Sequence, residues 1–127
     1  MKLDPFVSVD GVPFTISQEE IVKMRGQPIE AGRNSVGLNE LDYASVVYRF
    51  QDSGRLEEVT MQATVVNFGN VAVPFDALPS FVQQQDPGVF ERAGFVVSPR
   101  FGLAFDPCQP HWVTALAAHC LDAWRAL

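Results

Sequence analysis

Residues 109–127 read QPHWVTALAAHCLDAWRAL, and the fold turns on whether this stretch coils or extends. Pro110 suits the first position of a helix. Trp112, Val113, Leu116, Ala117, Cys120, Ala123, Trp124 and Leu127 recur at helical spacing and form one broad apolar stripe. The pattern therefore predicts a long C-terminal helix over 109–126. This region also holds every cysteine and histidine of the chain: Cys108, His111, His119 and Cys120. On a helix rising 1.5 Å per residue, His111 and His119 stand about 12 Å apart, and neighbours such as His119 and Cys120 point about 100° apart. Zinc donors must converge to within roughly 4 Å of one another, so the predicted helix scatters the four side chains and leaves no metal centre. Cys120 then packs as a small hydrophobe, and Cys108, just ahead of the helix, is a candidate reactive thiol.

Working back from the C-terminus, Gly94 to Ser98 and Gly102 to Phe105 read as strands joined through Pro99-Arg100-Phe101. Asp76 to Gln84 reads as a short helix with Pro79 in its first turn, stopped by Asp86-Pro87-Gly88. Leu41 to Phe50 is β-branched and aromatic, as a strand should be. After the turn Gln51-Asp52-Ser53-Gly54, Arg55 to Ala63 returns as its partner. Its alternation slips at Glu57-Glu58, which marks a bulge or a twisted start. Thr64 to Phe68 and Val71 to Val73 flank Gly69-Asn70 and add one or two short strands. Residues 26–40 form a long loop, and loops of that length in small domains tend to be functional or mobile. Ser17 and Glu20 make a capping box at the head of a helix that Gly26 and Pro28 close. Asp10-Gly11 between short apolar runs signals a hairpin. The expected fold is a single α+β domain spanning residues 1–127. Six to seven short strands form a mainly antiparallel sheet, packed against the long C-terminal helix and one or two shorter helices.

Composition narrows the function. Hydrophobic residues are 47% of the 127 and include ten Phe, enough for a core. The net charge is −6, and the nine basic residues are scattered. An acidic chain without a basic patch repels phosphate backbones, so nucleic-acid binding is not expected. No run approaches the roughly 18 apolar residues of a membrane span. The opening MKLDPFVSVDGVPF offers no secretory leader, so the expected location is cytoplasmic. No phosphate loop, dinucleotide fingerprint or nucleophile elbow is present, and no enzyme activity or cofactor is expected.

The acidic residues Glu40, Asp42, Asp52, Glu57 and Glu58 frame one predicted hairpin, against Arg49 and Arg55 alone. They read either as a solvated face that discourages edge-to-edge pairing or as a docking surface for a basic partner. Arg100 and Phe101, at the tip of the later hairpin, are a second candidate contact, since Arg and aromatic residues anchor interfaces.

The opening hairpin and helix ending in RGQP, followed by DYASVVYRFQDSGRLEEV, resemble in organisation the small acidic immunity proteins of bacterial polymorphic and contact-dependent toxin systems. The resemblance covers the first half of the chain and carries no residue roles. It implies a stoichiometric inhibitor that binds a cognate toxin or another basic protein. Two other readings are a small-molecule-binding domain or minor enzyme, with a pocket between sheet and C-terminal helix lined by Trp112 or Trp124, and an assembly subunit that associates through an edge strand.

Overall fold

In the computed structural model, which describes residues 1–127, the chain opens with strands β1 (Lys2–Asp4), β2 (Ser8–Val9) and β3 (Val12–Pro13) and helix α1 (Gln18–Arg25). Then come β4 (Glu30–Arg33), β5 (Asn39–Asp42), β6 (Val46–Phe50), β7 (Leu56–Gln62), β8 (Val65–Phe68) and β9 (Val71–Pro74). Helix α2 (Leu78–Gln85) leads to β10 (Phe90–Arg92), β11 (Phe95–Ser98), β12 (Leu103–Phe105), β13 (Trp112–Leu116) and the terminal α3 (Leu121–Arg125). The strands form two sheets, one of five in the order β3-β2-β1-β8-β9 and one of eight in the order β10-β11-β12-β13-β7-β6-β5-β4. β1 and β8 pair in parallel, and every other ladder is antiparallel.

This overturns the expected α+β fold with its long C-terminal helix. The chain is sheet-rich, and its helices are short: eight residues in α1, eight in α2 and five in α3. Residues 112–116, read as the middle of a helix, are a central strand. β13 pairs with β12 on one side and β7 on the other, with Val113 opposite Met61 and Ala115 opposite Val59 and Leu103. Both neighbours satisfy its backbone groups, which a helix in this place would leave unpaired on β7 and β12. His111, at φ +70°, turns the chain just before the strand through a conformation that no right-handed helix contains. Val113 and Ala115 join the main core, while Leu116 joins a second cluster on the opposite face. A strand covered on both faces has no polar–apolar alternation, and its continuous apolar run resembles a helix stripe.

Two other boundaries moved. Leu41 to Phe50 is two strands, β5 and β6, separated at Ala44 (φ +70°), whose N–H is held by the Asp42 carboxylate at 2.7 Å. The loop over 26–40 contains the edge strand β4, all four residues of which are exposed. Helix α1 carries its capping box: Ser17 Oγ accepts from the Glu20 N–H and Glu20 Oε1 accepts from the Ser17 N–H, both at 3.1 Å.

The main core draws on both sheets and both eight-residue helices. Val46, Tyr48, Phe50, Leu56 and Val59 of the large sheet meet Leu3, Val9 and Val66 of the small one, with Ile21, Leu78 and Val82 from the helices. Tyr48, Phe50, Phe105 and Ile21 are its largest fully buried side chains. The other face of the large sheet is only partly covered. There Leu116, Ala117 and Cys120 pack with Val97 and Ala104, and Leu121 and Trp124 of α3 lean on them. The rest of that face is open and polar. No helix is long and apolar enough to cross a membrane.

Candidate functional site

The open face of the large sheet is built by strand alternation. Val46, Tyr48 and Phe50 of β6 point into the core, so Val47 and Arg49 point out. Leu56, Val59 and Met61 of β7 point in, so Glu58 and Thr60 point out. The register then sets Glu40, Arg49 and Glu58 in one row across β5, β6 and β7, and Thr60 opposite Thr114 across β7 and β13. Arg49 is the centre of the row. Its Nε donates to Glu40 Oε2 at 2.6 Å, and its Nη1 donates to Thr60 Oγ1 at 2.6 Å and lies 3.6 Å from Glu58 Oε1. Thr60 and Thr114 share a hydroxyl–hydroxyl bond of 2.8 Å. The indole N–H of Trp124, from α3, donates to Glu58 Oε2 at 3.0 Å.

These side chains line a cleft of about 370 Å³ with Trp112, Phe95 and Asp106 on its walls. Three carboxylates and two indoles thus surround one guanidinium. Burial raises the Glu58 carboxyl above its ordinary value; Arg49 and the Trp124 N–H oppose that rise, and Glu57 and Glu40 add to it.

A second constellation lies beside the first. Between the pairs Arg49–Glu58 and Phe50–Leu56 the β6–β7 register shifts, and Glu57 is the residue left without a partner. This is the bulge read from the slip in alternation, and it re-aims the Glu57 side chain. The buried Glu57 carboxylate meets the turn Ala118–Cys120. Its Oε1 is 2.5 Å from His119 Nε2, and its Oε2 is 2.5 Å from Cys120 Sγ. Arg55 Nε reaches Oε1 at 3.3 Å from the solvent side. Burial first, and then the Glu57 carboxylate, push the Cys120 thiol far above its ordinary value. The carboxylate faces both the imidazole and the thiol, so this is not a base poised on a nucleophile.

The residues singled out from the sequence therefore divide. Glu40 and Glu58 come together on Arg49. Asp42 holds the turn at Ala44. Asp52 is exposed in the turn between β6 and β7 and pairs with Arg33 at 2.5 Å and Asn39 at 3.0 Å. Glu57 is buried and faces no solvent, so it offers nothing directly to a partner. Arg100 bonds the Gln85 carbonyl and Phe101 packs on the rings of Phe68 and Phe81, away from the cleft. The expectation that the four cysteine and histidine side chains stay scattered is corrected for two of them. His119 and Cys120 gather on Glu57, while Cys108 is exposed and His111 sets its ring against Phe75. Thr60, Thr114 and Asp106 carried no signal in the sequence, because the two threonines meet only across the β7–β13 pairing and Asp106 reaches the cleft from the loop after β12. No protein-family model, curated protein or solved structure matches this chain.

Proposed function

We propose that this protein is a non-enzymatic, cytoplasmic inhibitor of the immunity type, and that it takes a cationic side chain of a basic toxin domain into the cleft around Arg49. The observation that carries the reading is the makeup of that cleft: Glu40, Glu58 and Asp106, with Trp112 and Trp124, around a single guanidinium. A lysine or arginine arriving there gains carboxylate partners and an aromatic wall. The net charge of −6 would speed encounter with a basic partner. Helix spacing no longer argues against chemistry at His119 and Cys120, so the reading rests on the cleft.

Calorimetry with the toxin-domain product of the adjacent gene tests it. A 1:1 complex that weakens with salt is expected. Glu40→Lys should weaken it by about tenfold or more, while Asp52→Lys, in the β6–β7 turn outside the cleft, should leave it within about threefold. The absence of a complex at micromolar concentration would sink the proposal.

The two tryptophans favour a second reading, in which the cleft binds a small organic cation. A change in tryptophan emission on adding free arginine or a polyamine, at concentrations where a neutral amino acid has no effect, would support it. That change without any protein complex would replace the first reading.

A further inference from the structure

We propose that Glu57, His119 and Cys120 form a zinc-binding site beneath the C-terminal turn, independent of the cleft and of any partner. One donor atom from each residue lies within 4.8 Å of the other two. The donors are a carboxylate oxygen, an imidazole nitrogen and a sulfur, the set a borderline-soft ion such as zinc takes and an oxygen-seeking ion such as calcium or magnesium does not. The fold supplies them on purpose-built pieces of backbone. The β7 bulge turns Glu57 out of the alternation, and the turn Ala118–Cys120 brings two successive residues onto one carboxylate.

Charge favours the ion. Without it, the buried Glu57 carboxylate and the Cys120 sulfur face each other at 2.5 Å. When zinc binds, the Cys120 S–H bond breaks, the sulfur–zinc bond forms, and the proton leaves to solvent. The thiolate and the Glu57 carboxylate then balance the two positive charges, and a neutral His119 imidazole adds none, so the buried site carries no net charge. The His119 side chain is 30% exposed and provides the route in. Tetrahedral donors at zinc distances stand about 3.5 Å apart, so the 2.5 Å contacts must open by about 1 Å. That movement falls on the short turn carrying His119 and Cys120, outside any ladder. Arg55, whose side chain is half exposed, swings away from Glu57. Three protein donors leave a fourth position for water.

Cobalt substitution of the full-length, metal-free protein reads each donor. One equivalent of Co²⁺ should give the intense visible bands of a tetrahedral site and a near-ultraviolet sulfur-to-cobalt charge-transfer band, with release of a proton, and zinc should bleach both. Cys120→Ser should abolish the charge-transfer band, and His119→Ala should weaken binding by about tenfold or more. Cys108→Ser should change neither. No spectrum at stoichiometric cobalt overturns the proposal and leaves a hydrogen-bonded clamp; so does a band lost in Cys108→Ser but kept in Cys120→Ser. If Cys120→Ser does not fold, His119→Ala decides, since its imidazole is partly exposed: undiminished cobalt affinity there is equally fatal.

Discussion

Glu57 Oε1 stands 2.5 Å from His119 Nε2, 62 residues further along the chain. The other oxygen of the same carboxylate receives Cys120, and the next residue, Glu58, receives the indole of Trp124. One β-bulge thus fastens the C-terminal turn and α3 to the sheet. It also sets the edge of the cleft, because Trp124 is both a ligand of Glu58 and a wall of that cleft.

Removing the hub should loosen the whole attachment. Glu57→Ala takes the carboxylate from the partly exposed His119 imidazole and leaves the buried Cys120 thiol only the backbone carbonyl of residue 57 at 3.2 Å, and a loss of about 2 kcal/mol is expected in urea denaturation. Trp124 emission should shift to the red as α3 loosens. A loss below about 1 kcal/mol would show that the carboxylate's contacts with His119, Cys120 and Arg55 contribute little to the metal-free fold.

The two thiols should react on separate timescales. Cys108 is exposed and Cys120 is buried, and burial together with the Glu57 carboxylate holds the Cys120 thiol protonated. A disulfide reagent at pH 8 should label one thiol quickly in the native protein and the second only on unfolding. Cys108→Ser should remove the fast phase entirely.

Asp86 should give the acid limb of the stability curve. Burial acts to raise its carboxyl, but the N–H of Arg100 (3.0 Å), the hydroxyl of Ser98 (2.7 Å) and the N–H of Gly88 (2.8 Å) together outweigh it and hold the group below its ordinary value. A carboxyl depressed in the folded state contributes stability above its ordinary value of 3.8, and that contribution is lost as pH falls through the lower folded value. Asp86→Asn should therefore melt below the wild type at pH 7, and the gap should narrow once pH drops under 3.8. A gap independent of pH would mean that ionisation of Asp86 does not stabilise the fold.

Two glycines with the same backbone angle separate strain from collision. Gly69 and Gly102 both sit at φ +62°. A Cβ on Gly69 meets nothing within 4 Å, whereas one on Gly102 comes 2.9 Å from the Phe6 ring and 3.2 Å from the Leu116 carbonyl. Gly69→Ala should cost about 1 kcal/mol from backbone strain alone, and Gly102→Ala about 3 kcal/mol, because the ring or the backbone of Leu116 at the end of β13 must also shift. Equal losses by thermal or urea unfolding would show that Phe6 yields freely.

Local signals in the sequence were sufficient where an element is decided by its own residues. The capping box of Ser17 and Glu20, the Asp10-Gly11 turn, the hairpin strands near 56–62 and 95–105, and the slip at Glu57-Glu58 all depend on neighbours within a few positions. The acidic charge and the gathering of carboxylates near β5 to β7 were legible for the same reason. Tertiary structure alone decided residues 112–116. Their apolar pattern fits a helix stripe or a strand buried on both faces, and the choice falls to β7 and β12, whose unpaired backbone groups β13 satisfies. It alone decided the site as well. Arg49 meets Thr60, and Glu57 meets His119 and Cys120, through strand register and a bulge that bring distant residues to one place, and a pattern of period two or 3.6 carries no information about contacts over that separation.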